Sequence, residues 1–104
     1  MKFKLIIRPE AELELLEAVK YYEKEIKGLG SSFLLNVEAT IETILRLPEG
    51  HTPIYKNTRR ALVRKFPFGI HYIIEKAFIV ISYFLCVIKK DQIFKNSFQI
   101  LYSW

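Results

Sequence analysis

The chain has 104 residues, 51% of them hydrophobic, and a single cysteine, Cys86. This excludes a disulfide within these residues, argues against disorder, and predicts one packed domain over residues 1–104 in a reducing compartment. Net charge is +5, but residues 1–50 hold 7 Lys/Arg against 9 Asp/Glu and residues 51–104 hold 9 against 2, an asymmetry that points to an acidic or polyanionic partner.

Residues 2–7, KFKLII, read as a short strand in which Lys2 and Lys4 alternate with Phe3 and Leu5. Pro9 then suits the first turn of a helix, and Glu10, Glu12 and Glu14 favour its N-terminus. That helix is expected over residues 9 to about 27, with Ala11, Leu15, Ala18, Val19, Tyr22 and Ile26 on one face. Its six acids, from Glu10 to Glu25, form the solvated side. Gly28 and Gly30 stop it, and Ser31 or Ser32 is placed to cap a second helix. The second helix carries Phe33, Leu34, Val37, Ile41, Ile44 and Leu45 on one face and ends at Pro48 and Gly50.

From Tyr55 the pattern changes to strands, expected over residues 59–66, 70–75 and 78 to about 87. "FPFG", residues 66–69, reads as a turn, and "EKA", residues 75–77, as a tight hairpin. The fold class is therefore α+β: an N-terminal strand and a two-helix hairpin packed on an antiparallel sheet of about four strands. The longest apolar run, residues 77–88, is too short for the roughly 20 residues of a transmembrane helix. With no signal-peptide pattern at residues 1–7, a cytoplasmic location and no membrane partner are expected. Residues 91–104, "DQIFKNSFQILYSW", are an apolar tail whose spacing fits neither a helix nor a strand.

No metal site and no cofactor are expected. His51 and His71 lack partners at ligand spacing, His71 reading as a surface or half-buried strand residue, and the four glycines fall in turns rather than in a phosphate loop. Cys86 reads as a small buried hydrophobe. What remains is a basic patch with aromatics: Arg59, Arg60, Arg64, Lys65, Phe68 and Tyr72, with Lys89 and Lys90 after the last strand. Cations beside rings suit nucleic-acid binding. The same residues also suit a charged sheet edge over a packed core, with Phe66 and Phe68 as core.

The stretch "RPEAELELLEAVKYYEKEIKGLGSSFL" resembles the opening of RelE/ParE superfamily toxins. "YKNTRRALVRKFPFGIHYIIE" resembles their Arg-Arg, Leu-Val, Phe-Pro-aromatic, Ile-x-Tyr segment, and "FIVIS" the strand that follows. The likeness runs over about residues 3 to 85. It implies the toxin half of a bacterial type II toxin–antitoxin pair, silenced by a cognate antitoxin. One branch of that superfamily poisons DNA gyrase. The other cleaves mRNA on the ribosome without a metal, and there Arg60, Arg64 and Lys90 would be the catalytic cations.

Residue by residue, the match to the RNA-cutting branch is partial. Arg60 and Arg64 fall where that branch has basic residues, and Lys89 and Lys90 approximate its later basic pair. Gly69 stands where an arginine would be expected, Leu62 where a lysine would, and Cys86 where many members carry a histidine. The resemblance thus implies a ParE-like toxin that binds gyrase, through Arg59, Arg60, Arg64, Lys65, Tyr72, Lys89 and Lys90. A ribosome-dependent mRNA endonuclease and a non-toxic nucleic-acid-binding module stand as alternatives.

Overall fold

The computed structural model describes residues 3–87. In chain order its elements are strand β1 (Lys4–Ile7), helix α1 (Pro9–Glu25), helix α2 (Leu29–Arg46), a 3-10 turn (Pro48–Gly50), and strands β2 (Pro53–Tyr55), β3 (Thr58–Leu62), β4 (Phe68–Glu75) and β5 (Phe78–Cys86). The expectation of an unassigned tail at 91–104 lies outside the described residues.

The apolar stripes read from the sequence are the buried faces of the two helices. α1 buries Ala11, Ala18 and Tyr22, and α2 buries Phe33, Val37, Ile41 and Ile44. The serines do not cap α2. Gly28 precedes it in the left-handed conformation (φ 89°), and the Glu23 carboxylate on α1 accepts the N–H groups of Gly28 and Gly30, both at 2.9 Å. The first turn of a helix leaves four N–H groups without partners. Here an acid from the preceding helix takes two of the donors at the junction. These bonds, first from Gly28 and then from Gly30, hold the Glu23 carboxyl below its ordinary range. Glu14 is a second acid with structural work: it accepts the Phe84 N–H of β5 at 2.9 Å, tying α1 to the sheet.

The sheet has five strands in the order β1-β5-β4-β3-β2, where about four were expected. The added strand is β2, only three residues long and opened by Pro53. A proline has no N–H for a ladder and is tolerated at an edge. The sheet is also not wholly antiparallel, because β1 lies parallel to β5, pairing Lys4 with Phe78 through Ile7 with Ile81. β3 is shorter than expected and β4 longer. The Val63 N–H donates to the Phe68 carbonyl at 2.8 Å, closing the hairpin around residues 64–67 instead of 66–69. Gly69 is consequently a strand residue facing Leu62 on β3 and Leu85 on β5.

Strand parity then divides the side chains. Ala61, Ile70, Tyr72, Ile79, Ile81 and Phe84 turn toward the helices and are buried. Where the helix hairpin meets the sheet, four rings from three parts of the chain converge. Tyr22 of α1, Phe33 of α2 and Phe66 of the turn have pairwise centroid distances of 5.0 Å, and Phe68 packs against Phe33 at 5.2 Å. Phe66 and Phe68 are therefore core residues, not rings free to stack on a ligand.

Two predictions follow from the helix junction. In an ordinary helix interior, replacing glycine by alanine stabilises by roughly 1 kcal/mol. A Cβ on Gly30 would stand 2.7 Å from the Val19 carbonyl oxygen, so Gly30→Ala should instead destabilise by about 1–3 kcal/mol, read as a fall in Tm. The depressed Glu23 carboxyl contributes stability above its unfolded value of 4.5, lost as pH falls through the lower folded value. Urea melts over that acidic window should show a shallower pH dependence for Glu23→Gln than for the parent; equal slopes would exclude Glu23 as the source.

Candidate partner-binding surface on β3 and its turn

The β3–β4 register pairs Arg59 with Tyr72, Arg60 with His71, Ala61 with Ile70 and Leu62 with Gly69. Ala61 and Ile70 are core residues. Arg59 and Tyr72 therefore share the helix-facing side, whereas Arg60, Leu62, Gly69 and His71 share the opposite side. The two adjacent arginines of "TRRAL" are thereby given different tasks.

Arg59 is half-buried and structural. Its Nη1 donates to the carbonyls of His51, at 2.6 Å, and Glu49, at 3.2 Å. One guanidinium thus holds the 3-10 turn that leaves α2 against β3. Tyr72 was expected on the working surface, and the structure corrects this: it is fully buried. Its hydroxyl donates to the Pro48 carbonyl at 2.6 Å and lies 3.2 Å from His51 Nδ1. A phenol has one proton, so with Pro48 as acceptor the His51 nitrogen is the donor. Burial pushes the Tyr72 phenol above its ordinary range, with the charge of Arg59 opposing. Arg59, Tyr72, His51 and Pro48 together form a brace beneath the sheet.

Arg60 stands on the other face. Its aliphatic stem crosses Gly69: a Cβ built on that glycine would lie 2.9 Å from Arg60 Cδ and 3.0 Å from Cγ. Arg64 and Lys65 sit on the turn that follows, both exposed. Lys65 takes a left-handed backbone conformation, φ 71°, in which a side chain costs roughly 1–2 kcal/mol. Lys56 and Lys76, in the two other hairpin turns, share that conformation, which a glycine would serve better. Lys89 and Lys90 lie outside the described residues.

His71, expected at or near the surface, is 2% exposed. It lies between its cross-strand neighbours Arg60 and Tyr83, stacked on the Tyr83 ring at 4.4 Å and 15°. Its Nδ1 has no hydrogen-bond partner among the described residues. Burial, and then the charge of Arg60, lower its pKa from 6.5, with the Gly69 backbone opposing. Both effects disfavour the charged imidazolium. Parity puts His71 with Arg60 on the face away from the helices and gives no sign that it is covered.

The result is a half-buried Arg60 on β3, exposed Arg64 and Lys65 on the turn that follows, and exposed Leu62 and Leu85 in the cross-strand row of Gly69. Such a surface can bind an acidic partner that also offers apolar side chains. It does not assemble acid–base chemistry at the surface among the described residues, since Tyr72 is committed to Pro48 and His71 is covered. No group of three or more His, Cys, Asp or Glu among the described residues is placed to hold a metal. No described helix is long and apolar enough to cross a membrane.

No protein-family model and no curated protein matches the sequence. Among solved structures, a chain described as the chromosomal ParDE TA system from P. aeruginosa superimposes with a TM-score of 0.72, covering 84% of this chain and 98% of that one at 13% identity. The strand, helix hairpin and five-stranded sheet described above are thus a ParE-like fold.

Proposed function

We propose that this chain is the toxin of a bacterial toxin–antitoxin pair, acting by binding DNA gyrase and silenced by a cognate antitoxin. The observation that carries the reading is the fold likeness to a ParDE system over nearly the whole of that chain, in agreement with the sequence resemblance. The surface supports action by binding: Arg64 and Lys65 are exposed, Arg60 is half-buried on the face away from the helices, and Tyr72 and His71 are covered. Ribosome-dependent, metal-independent mRNA cleavage is the second reading. Its supporting observation is that Arg60 and His71 are cross-strand neighbours on one face. A non-toxic nucleic-acid-binding module would use the same cations without arresting growth.

The test is direct. Purified protein incubated with gyrase and supercoiled plasmid should accumulate cleaved, gyrase-trapped DNA and leave ribosome-bound mRNA intact. Intact plasmid with efficient mRNA cutting would reject the gyrase reading, and growth unaffected by induction would reject toxicity altogether.

The residues separate by role in the same assay. Lys65→Gly removes a cation while relieving a left-handed residue, so its stability should be unchanged or higher by up to about 1 kcal/mol while trapping falls. Tyr72→Phe should keep the trapping of its folded fraction but lose about 1–2 kcal/mol, because the Pro48 carbonyl is left without its buried donor. A Lys65→Gly protein that is both as stable and as active as the parent would remove Lys65 from the surface.

A further inference from the structure

We propose that Gly69 is a positioning residue for Arg60: lacking a side chain, it leaves the channel on the sheet face through which the Arg60 stem runs, and so sets where the guanidinium stands. Three observations carry this. The clash that a Cβ would cause is with Cγ and Cδ, the middle of the arginine side chain, at 3.0 and 2.9 Å. The chain could not swing its tip aside and keep its path. Gly69 is also not required by its backbone, since among the glycines only Gly28 has a left-handed φ. A glycine inside a strand weakens it and commonly marks close approach of another group. Finally, its neighbours in the cross-strand row, Leu62 and Leu85, both carry full side chains that stand exposed. The gap is one residue wide, and Arg60 fills it.

The geometry gives Gly69 a meaning that its place in the sequence does not. A side chain at 69 would compete with Arg60 for the same space on the same face. The Arg60 stem enters that space from β3, and its charge is felt at His71, its cross-strand neighbour. The functional part of this proposal rests on Arg60 belonging to the gyrase-binding surface; the positioning part does not.

The experiment is a double-mutant cycle on the full chain, with two readouts. Gly69→Ala should lower Tm in the parent but, within about 1 °C, not in an Arg60→Ala background, where the Cβ has room. Equal losses in both backgrounds would overturn the proposal. If Gly69→Ala alone does not fold, a folded double variant supports it, and an unfolded double variant beside a folded Arg60→Ala protein overturns it.

The second readout is the titration of the His71 imidazole by NMR. The charged and titratable groups facing it are Arg60 from β3 and Tyr83 from β5. Arg60→Ala should raise its midpoint, and Gly69→Ala should raise it in the same direction by displacing the guanidinium. A midpoint raised by Arg60→Ala but unmoved by Gly69→Ala would show that Gly69 does not set the arginine. In the plasmid assay both variants should lose trapping to the same degree. If the cycle and the titration behave as stated while both variants trap DNA as the parent does, the positioning stands and it is the gyrase-surface reading of Arg60 that fails.

Discussion

The ring cluster of Tyr22, Phe33, Phe66 and Phe68 is the contact on which the rest of the structure depends. It joins the helix hairpin, through the end of α1 and the start of α2, to the β3–β4 turn, which is distant in sequence. Edge-to-face pairs of this kind add about 0.5–1.5 kcal/mol each beyond the area they bury. Their positional effect matters more here. Drawing Phe66 inward anchors the turn from beneath, and the two residues before it, Arg64 and Lys65, are forced outward. The left-handed backbone at Lys65 is one consequence of closing the hairpin over a buried ring. The exposed cations and the aromatic core are two sides of one turn.

A second constraint acts beneath the same strand. Arg59 and Tyr72 hold the segment leaving α2 by three carbonyls, those of Glu49, His51 and Pro48. This commits one of two adjacent arginines to stability and leaves the other for the open face. Charge density alone therefore overstates how many of these cations are available to a partner. Of the cations in residues 59–65, Arg60, Arg64 and Lys65 are free of structural duty in the helix-facing brace. The ParE-like fold carries a sheet face that the helices leave uncovered, and these three residues edge it.

Much of the fold was legible because its helices obey one period. Ala11, Ala18 and Tyr22, then Phe33, Val37, Ile41 and Ile44, declare their faces without ambiguity, and "EKA" is as short a hairpin as it reads. β2 was not legible, since three residues opened by a proline give no alternation to detect. The parallel pairing of β1 with β5 was hidden too, because nothing in KLII says which edge it will join. Glu23 as the cap of α2 was masked by two serines of better local reputation, and the choice was settled by the close crossing at Gly30. At the site, composition grouped Arg59, Arg60 and Tyr72, but a strand alternates. One-residue parity sends Arg59 and Tyr72 inward and Arg60 outward with His71. The role of Gly69 could not be read without the path of the Arg60 side chain.

The surface itself is most directly tested by hydrogen–deuterium exchange of the chain with and without gyrase. Amides of residues 60–69, on β3, its turn and the start of β4, should gain protection in the complex. Protection confined to α1 and α2, with residues 60–69 exchanging as in the free protein, would contradict a working surface built on Arg60, Arg64 and Lys65.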